Sequence, residues 1–403
     1  MKIKPSISVI TPDRVEHGID LFISGILADD SQRQIETKNA IAYTPLINSH
    51  DHLIGNWVPR AGDKRPYVNS HIWVEDMKNS FSFHERSVFW INDGKFHLNE
   101  PNSLLLTKLG AYKSLFCGCG TVQDHGPMQE DEYYAAMPIR VSNHYRQCHS
   151  ITMGNWWGGE SPEEEMRLTG GKVPFIIHLG EGKDSITKAE FGKLVQRGLL
   201  RNNTLMIHGI AFSPEEIATI AMVGASVCWC PSSNLYLIGE TFKIDAALSY
   251  KTNVCIGTDS TMSGGINLIA EFLTIREHFP HIVAKELYRM VTENAVKALK
   301  MPAHYATLDT QNCKNLLLVD MLESDPFENL LEMEATNIQL LIVDGIPRFG
   351  DSHWMETLAL DEETYSTFRT GNKEKFVLGD PMEMNDQIDA VLGYHKDFPY
   401  LPF

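Results

Sequence analysis

From residue 45 to about residue 260 the chain alternates short apolar runs with stretches of helical periodicity. TPLINSHDH is apolar and then turns abruptly polar at its end. SLLLTKLGAYKSLF spaces its apolar positions as an amphipathic helix does, and the following GTVQDH reads as a strand. PIRVS, HSITMG, PFIIHLGEG, TLMIHG, ASVCWCP and NVCIGTDS continue the series of strand candidates. Helical stretches such as SITKAEFGKLVQRGLL, SPEEIATIAMV and INLIAEFLTIREHF accompany the later ones. Strands alternating with helices of this length predict a parallel α/β fold. About eight strand candidates suit a closed, distorted (β/α)8 barrel. PIRVS and HSITMG lie too close together to hold a full helix between them, so the barrel is trimmed there.

The flanks have a different pattern. SISVI, DLFIS and IAYT are short, β-prone and separated by polar turns, and KNLLLVD and IQLLIVDGIPRFGD resume that character. The predicted organisation is a small β-sandwich built from both chain ends (1–44 and 306–350), a barrel over 45–305, and a C-terminal extension over 351–403.

Composition narrows the function. Lysine and arginine number 35 against 52 acidic residues, a formal charge of −17. Such a balance repels phosphate backbones and argues against a nucleic-acid partner. No run approaches 18 uninterrupted apolar residues, which argues against a membrane span. Seven scattered cysteines suit a reducing, cytoplasmic setting rather than a disulfide framework. The pairs Cys117/Cys119 and Cys228/Cys230 lack zinc-knuckle spacing and read as core thiols.

The ends of the apolar runs carry the chemistry. His50 and His52 follow PLINS, His178 follows PFII, His208 follows TLMI, and Asp259 follows NVCIGT. In a barrel the C-terminal strand ends converge on one face, where catalytic groups collect. Strand periodicity puts His50 and His52 on one side, so both can face a single ion. Among sixteen histidines any one at a strand end is ordinarily a core or surface group, but the set is hard to explain by chance. Histidines with an aspartate and an open position suit a catalytic zinc, or alternatively ferrous iron. Such an ion lowers the pKa of its water towards about 7. Glu181, three residues past His178, is placed to shuttle a proton to a substrate nitrogen.

INSHDH, HLGE, IHG, CPSSN and GTDS, in that order, resemble the amidohydrolase superfamily, in the branch holding cytosine deaminase, guanine deaminase and the triazine hydrolases. The resemblance spans roughly residues 40 to 350. It implies a mononuclear metal site on a distorted barrel with a small flanking β-sandwich. Carried over, His50, His52, His178 and Asp259 resemble the metal ligands. His208 resembles the histidine that holds the attacking water and polarises the substrate, and Glu181 the glutamate that protonates the ring nitrogen. Asp259 also takes the proton of the attacking water. No lysine follows a strand candidate between Gly120 and Gly171 in the binuclear form, so one divalent ion per chain is expected.

The remaining signals are minor. CPSSN reads as a structural turn, with Ser232 or Ser233 able to cap a helix. NWWGGE pairs two tryptophans with two glycines, and Trp156 is a candidate for stacking a planar substrate. His125 ends GTVQDH and is a second candidate substrate contact. Glu163 to Glu165 read as a solvated helix start. The expected function is hydrolytic deamination of an amino-substituted N-heterocycle or amidine-like carbon, with a small-molecule substrate. Alternatives are a cyclic-amide or halide-releasing hydrolase, or a non-catalytic barrel for binding or assembly. A homo-oligomer through the aromatic C-terminal tail is compatible with all of these.

Overall fold

The computed structural model describes residues 1–24, 34–56, 60–89 and 98–403. Among the described residues the central α/β unit contains eight strands, each paired parallel to its neighbours within its own sheet. They are β1 (Leu46–Asp51), β2 (Cys119–Asp124), β3 (Arg140–Val141), β4 (Arg146–Ser150), β5 (Phe175–Leu179), β6 (Thr204–His208), β7 (Ser226–Trp229) and β8 (Asn253–Ile256). Every residue of β5 and β6 is buried, as continuous apolar runs demand in a parallel sheet covered on both faces.

The strands form two ladders rather than one closed hydrogen-bonded ring. β1, β2 and β3 pair in that order, and β4 to β8 form a second parallel sheet. One break falls between β3 and β4, the site of the expected trimming. β3 is two residues long and only residues 142–145 separate it from β4, too few for a crossover helix. The other break lies between β8 and β1, where the groups that bridge the gap are mostly side chains.

Helices follow the later strands as their periodicity predicts. Pro214–Val223 illustrates the end signals: Ser213 and Glu216 form a reciprocal capping box, and Gly224 turns left-handed at φ 77°. The stretch expected as one helix after β5 is two, Ser185–Lys188 and Glu190–Gln196.

A nine-stranded sheet lies beside this unit. Its order is Tyr365–Thr370, Lys373–Leu378, Ile346–Asp351, Ile338–Val343, Leu316–Asp320, Gln34–Tyr43, Lys2–Thr11 and Arg14–His17, with Leu21–Phe22 also paired to Lys2–Thr11. Both flanks therefore enter one sheet, with Ala42 opposite Leu318. Strand alternation gives it two apolar faces. Ile41, Tyr43, Leu317 and Val343 join the main core. Ala42, Leu318, Ile342 and Phe376 pack under Trp354. Two features differ from expectation. All but Leu21–Phe22 follow a single pairing path, and the region read as an extension supplies two of the strands, Tyr365–Thr370 and Lys373–Leu378.

Candidate functional site

Four strand ends deliver the predicted residues to one cluster. His50 lies in β1, and His52 stands one residue beyond it. His178 lies in β5, His208 ends β6, and Asp259 follows β8 by three residues. The ring nitrogens of His50, His178 and His208 lie within 4.8 Å of one another, and so do the donor atoms of His50, His52 and Asp259. The Asp259 Oδ1 is 3.5 Å from His52 Nε2 and 3.9 Å from His50 Nε2.

Two backbone positions here are strained. His208 has φ 75° and Asp259 φ 56°, left-handed conformations that side-chain-bearing residues seldom adopt. Such strain collects where a site needs a side chain aimed against backbone preference. Gly257 has a separate reason. A Cβ there would stand 2.6 Å from the His50 Cβ and 2.8 Å from its backbone nitrogen, so the turn into Asp259 needs glycine.

Partners fix the rings. Nδ1 of His178 faces the His149 carbonyl at 3.0 Å, and Nδ1 of His52 faces the His125 carbonyl. A carbonyl only accepts, so in each ring Nδ1 carries the proton and the Nε2 lone pair is left for a ligand role. His208 Nδ1 lies 2.8 Å from the Asn234 Oδ1. His50 is fully buried, and neither of its ring nitrogens has a hydrogen-bond partner among the described residues. Burial pushes His50 and His178 well below the usual histidine range, which keeps them neutral.

Asp259 is held from behind. Its Oδ2 accepts from the Ser233 and Ser263 hydroxyls, each at 2.8 Å, and its Oδ1 accepts from the Ser260 N–H at 2.7 Å. Burial raises its pKa, but His52, His208 and these hydrogen bonds outweigh burial and leave it below the usual range. Orphaned buried imidazole nitrogens beside an ionised carboxylate are the donor set that a zinc or ferrous ion takes. The residues fit the metal.

Glu181 lies beside the cluster, with its Oε1 3.5 Å from His208 Nε2. Burial, against the pull of His208, raises its pKa. A cavity of about 590 Å³ opens over these groups, lined by Glu181, His125, His149, Trp73, Trp156 and Trp157 among others. His125 is buried and lies edge-on to Trp157 at 4.9 Å between centroids. Trp156 is 42% exposed and stacks on His149 at 4.1 Å.

His149 was not singled out from the sequence. HSITMG suggested a strand beginning at His149, whereas β4 runs Arg146–Ser150 and presents His149 at its C-terminal end, the position that flagged the other histidines. Ser233 departs from the capping reading. The helix Pro231–Ile238 begins after Cys230 with no side-chain cap, and the Ser233 hydroxyl serves Asp259 instead. Glu163 to Glu165 do occupy the first turn of a helix, Pro162–Leu168, capped by Ser161, but Glu165 is buried and accepts from the Glu160 N–H rather than being solvated. All seven cysteines are buried and unbridged.

Comparison with known proteins follows the same lines. The amidohydrolase family profile matches residues 152–347. A 5-methylthioadenosine/S-adenosylhomocysteine deaminase from Moorella thermoacetica is 30% identical over 358 residues, 77% of this chain and 82% of the relative. A deaminase of the same name from Pyrococcus abyssi is 29% identical over 209 residues, 46% of this chain, and the match spans about half (48%) of that relative's length. Among solved structures, an atrazine chlorohydrolase from Arthrobacter aurescens complexed with zinc superposes with a TM-score of 0.70 at 19% identity, covering 97% of this chain and 99% of that one. The Escherichia coli guanine deaminase superposes at 0.66 with 14% identity, covering 86% and 98%. These two share the fold. With sequence identity sustained across four-fifths of the Moorella relative and the histidine and aspartate positions gathered at the strand ends, the chain belongs to the amidohydrolase family.

Proposed function

We propose that the protein is a metal-dependent hydrolase that removes ammonia from an amino-substituted N-heterocycle or amidine-like carbon. The observation that carries this reading is a pair of donor triads sharing the buried His50, one with His178 and His208 and one with His52 and Asp259, next to a buried glutamate that lines one cavity. His50, His52, His178 and Asp259 hold one divalent ion, zinc in preference to ferrous iron. When bound, the ion supplies Lewis acidity and a water acidic enough to attack near neutral pH.

The chain's own groups do the rest. Asp259 receives, at a carboxylate oxygen, a proton from the attacking water. Glu181, its pKa raised by burial, keeps a proton available and delivers it to the ring or leaving nitrogen. His208, anchored by Asn234, faces the developing charge. His125 and Trp156 contact the substrate, with the tryptophan offering an aromatic face to a planar ring. The net change is exchange of an amino group for a carbonyl oxygen, with water consumed and ammonia released.

The eight parallel strands are read as a distorted barrel with its seams at β3–β4 and β8–β1. The nine-stranded sheet is read as the accompanying small domain. The substrate is a small molecule and the setting cytoplasmic, in keeping with unbridged thiols.

The test is a screen of amino-purines, amino-pyrimidines, pterins and triazines for ammonia release by zinc-loaded protein. Release that stops on chelation and returns with zinc supports the reading. Chloride or a ring-opened acid as product, with no ammonia, replaces deamination by the corresponding halide-releasing or cyclic-amide hydrolysis. No turnover across all classes favours the non-catalytic alternative.

A further inference from the structure

Strands β8 and β1 meet without a regular ladder, yet the residues proposed to share one ion lie on both sides of that seam. A buried polar network spans it. The Asp259 N–H donates to the His50 carbonyl at 3.1 Å, and the Thr258 N–H to Asn48 Oδ1 at 3.1 Å. Asn48 Nδ2 donates to Thr258 Oγ1 at 2.8 Å and to Asp51 Oδ2 at 3.1 Å.

Lys113 enters this network from the helix Pro101–Leu115 with its side chain wholly buried. Its Nζ donates to the Asp259 carbonyl at 2.5 Å, to Asn56 Oδ1 at 2.9 Å and to Asp51 Oδ1 at 3.3 Å. The three N–H groups of an ammonium are thereby all used. Asp51, equally buried, accepts the His52 N–H at 2.8 Å through the same Oδ1. One ammonium thus reaches the backbone of Asp259 directly and the backbone of His52 through a single carboxylate.

A buried ion pair is weak evidence for stability, because desolvation offsets most of the attraction. Its geometric effect is specific here. Asp259 holds φ 56°, and both polar groups of its backbone are tied, the N–H to His50 and the carbonyl to Lys113. Released from the ammonium, the carbonyl has no other partner fixing that turn among the interactions described.

We infer that Lys113 is a positioning residue, its buried ammonium paired with Asp51 to hold Asp259 and the His50–His52 segment in the relative placement that lets them share an ion. The inference rests on the reading of Asp259 and the histidines as ligands.

The test compares full-length wild type, Lys113→Met, and the charge-neutral pair Lys113→Met with Asp51→Asn. Zinc affinity is measured by chelator competition, geometry by the visible absorption of the cobalt(II)-loaded proteins, and folding by thermal melting of the metal-free forms. Lys113→Met alone leaves Asp51 unpaired and is expected to melt lower or fail to fold. The double variant is expected to melt near wild type, bind zinc about 10- to 100-fold more weakly and show a shifted cobalt spectrum. Wild-type affinity and spectrum in the double variant overturn the inference. A double variant that does not fold without metal makes the pair structural and overturns it too. Wild type that binds no ion overturns the ligand reading itself, a result visible before any variant is made.

Discussion

The Nδ1 atom of His178 lies 3.0 Å from the carbonyl oxygen of His149. That contact sets the tautomer of His178 and presents Nε2 towards the donor atoms of its neighbours. Removing either a ring or the carboxylate should therefore release the ion. His50→Ala and Asp259→Ala are expected to fall from about one bound ion per chain to well below that. Elemental analysis of dialysed protein checks this; a full equivalent retained in both removes these residues from the ligand set.

Ser233 tests the support behind the carboxylate. Its hydroxyl is one of two that Asp259 Oδ2 accepts. Ser233→Ala is expected to weaken zinc binding by about 10- to 100-fold while the protein still folds. Chelator competition gives the number, and unchanged affinity dissociates Ser233 from the site.

Glu181→Gln should separate chemistry from stability, with effects of opposite sign. Turnover on an identified substrate is expected to fall by about 10²- to 10⁴-fold with the metal retained. In metal-free protein the folded-state pKa of Glu181 is raised above its ordinary 4.5. The native state then binds more protons than the unfolded state above pH 4.5, so this group lowers stability as the pH rises. The glutamine variant is expected to match wild type near pH 4.5 and to gain on it towards neutrality. Denaturation midpoints at three pH values decide the sign.

Trp156 stacks on His149 from a partly exposed position. Trp156→Ala is expected to raise KM about 2- to 10-fold, the worth of one aromatic pair, with kcat and melting temperature little changed. A loss confined to kcat places Trp156 in the chemistry rather than in binding.

Truncation after residue 350 is expected to abolish folding rather than to remove a dispensable tail. Phe376 and Val377 are fully buried, and their strand pairs with Ile346–Asp351 through Phe349 opposite Val377. Deleting it strips the core and opens a sheet edge. Soluble expression with a cooperative melt would contradict this.

The strand ends were legible because a parallel strand buried on both faces must be a continuous apolar run, and a polar residue closing that run stands out. His50, His178, His208 and Asp259 were all found in this way. Lys113 carried no such mark. Its helix reads as amphipathic in sequence, where a lysine is ordinarily solvent-facing, whereas every residue from Leu109 to Leu115 is buried and only the approach of two distant segments makes the ammonium useful. His149 was obscured by a short register error in β4. The final two sheet strands were missed because YSTFRT and KEKFVL alternate too weakly in sequence to show which face is buried. Long-range pairing decides that face, and local pattern carries no record of it.

The pairing of Ala42 with Leu318 has a consequence for synthesis. The two residues are separated by 276 positions. At about 5–20 residues per second, the strand Gln34–Tyr43 waits roughly 14 to 55 s on the ribosome for its neighbour. All eight parallel strands emerge during that interval, while an apolar edge bearing Ile41 and Tyr43 has one side unpaired. That edge therefore stays open to pairing with other chains until Leu316–Asp320 has been synthesised.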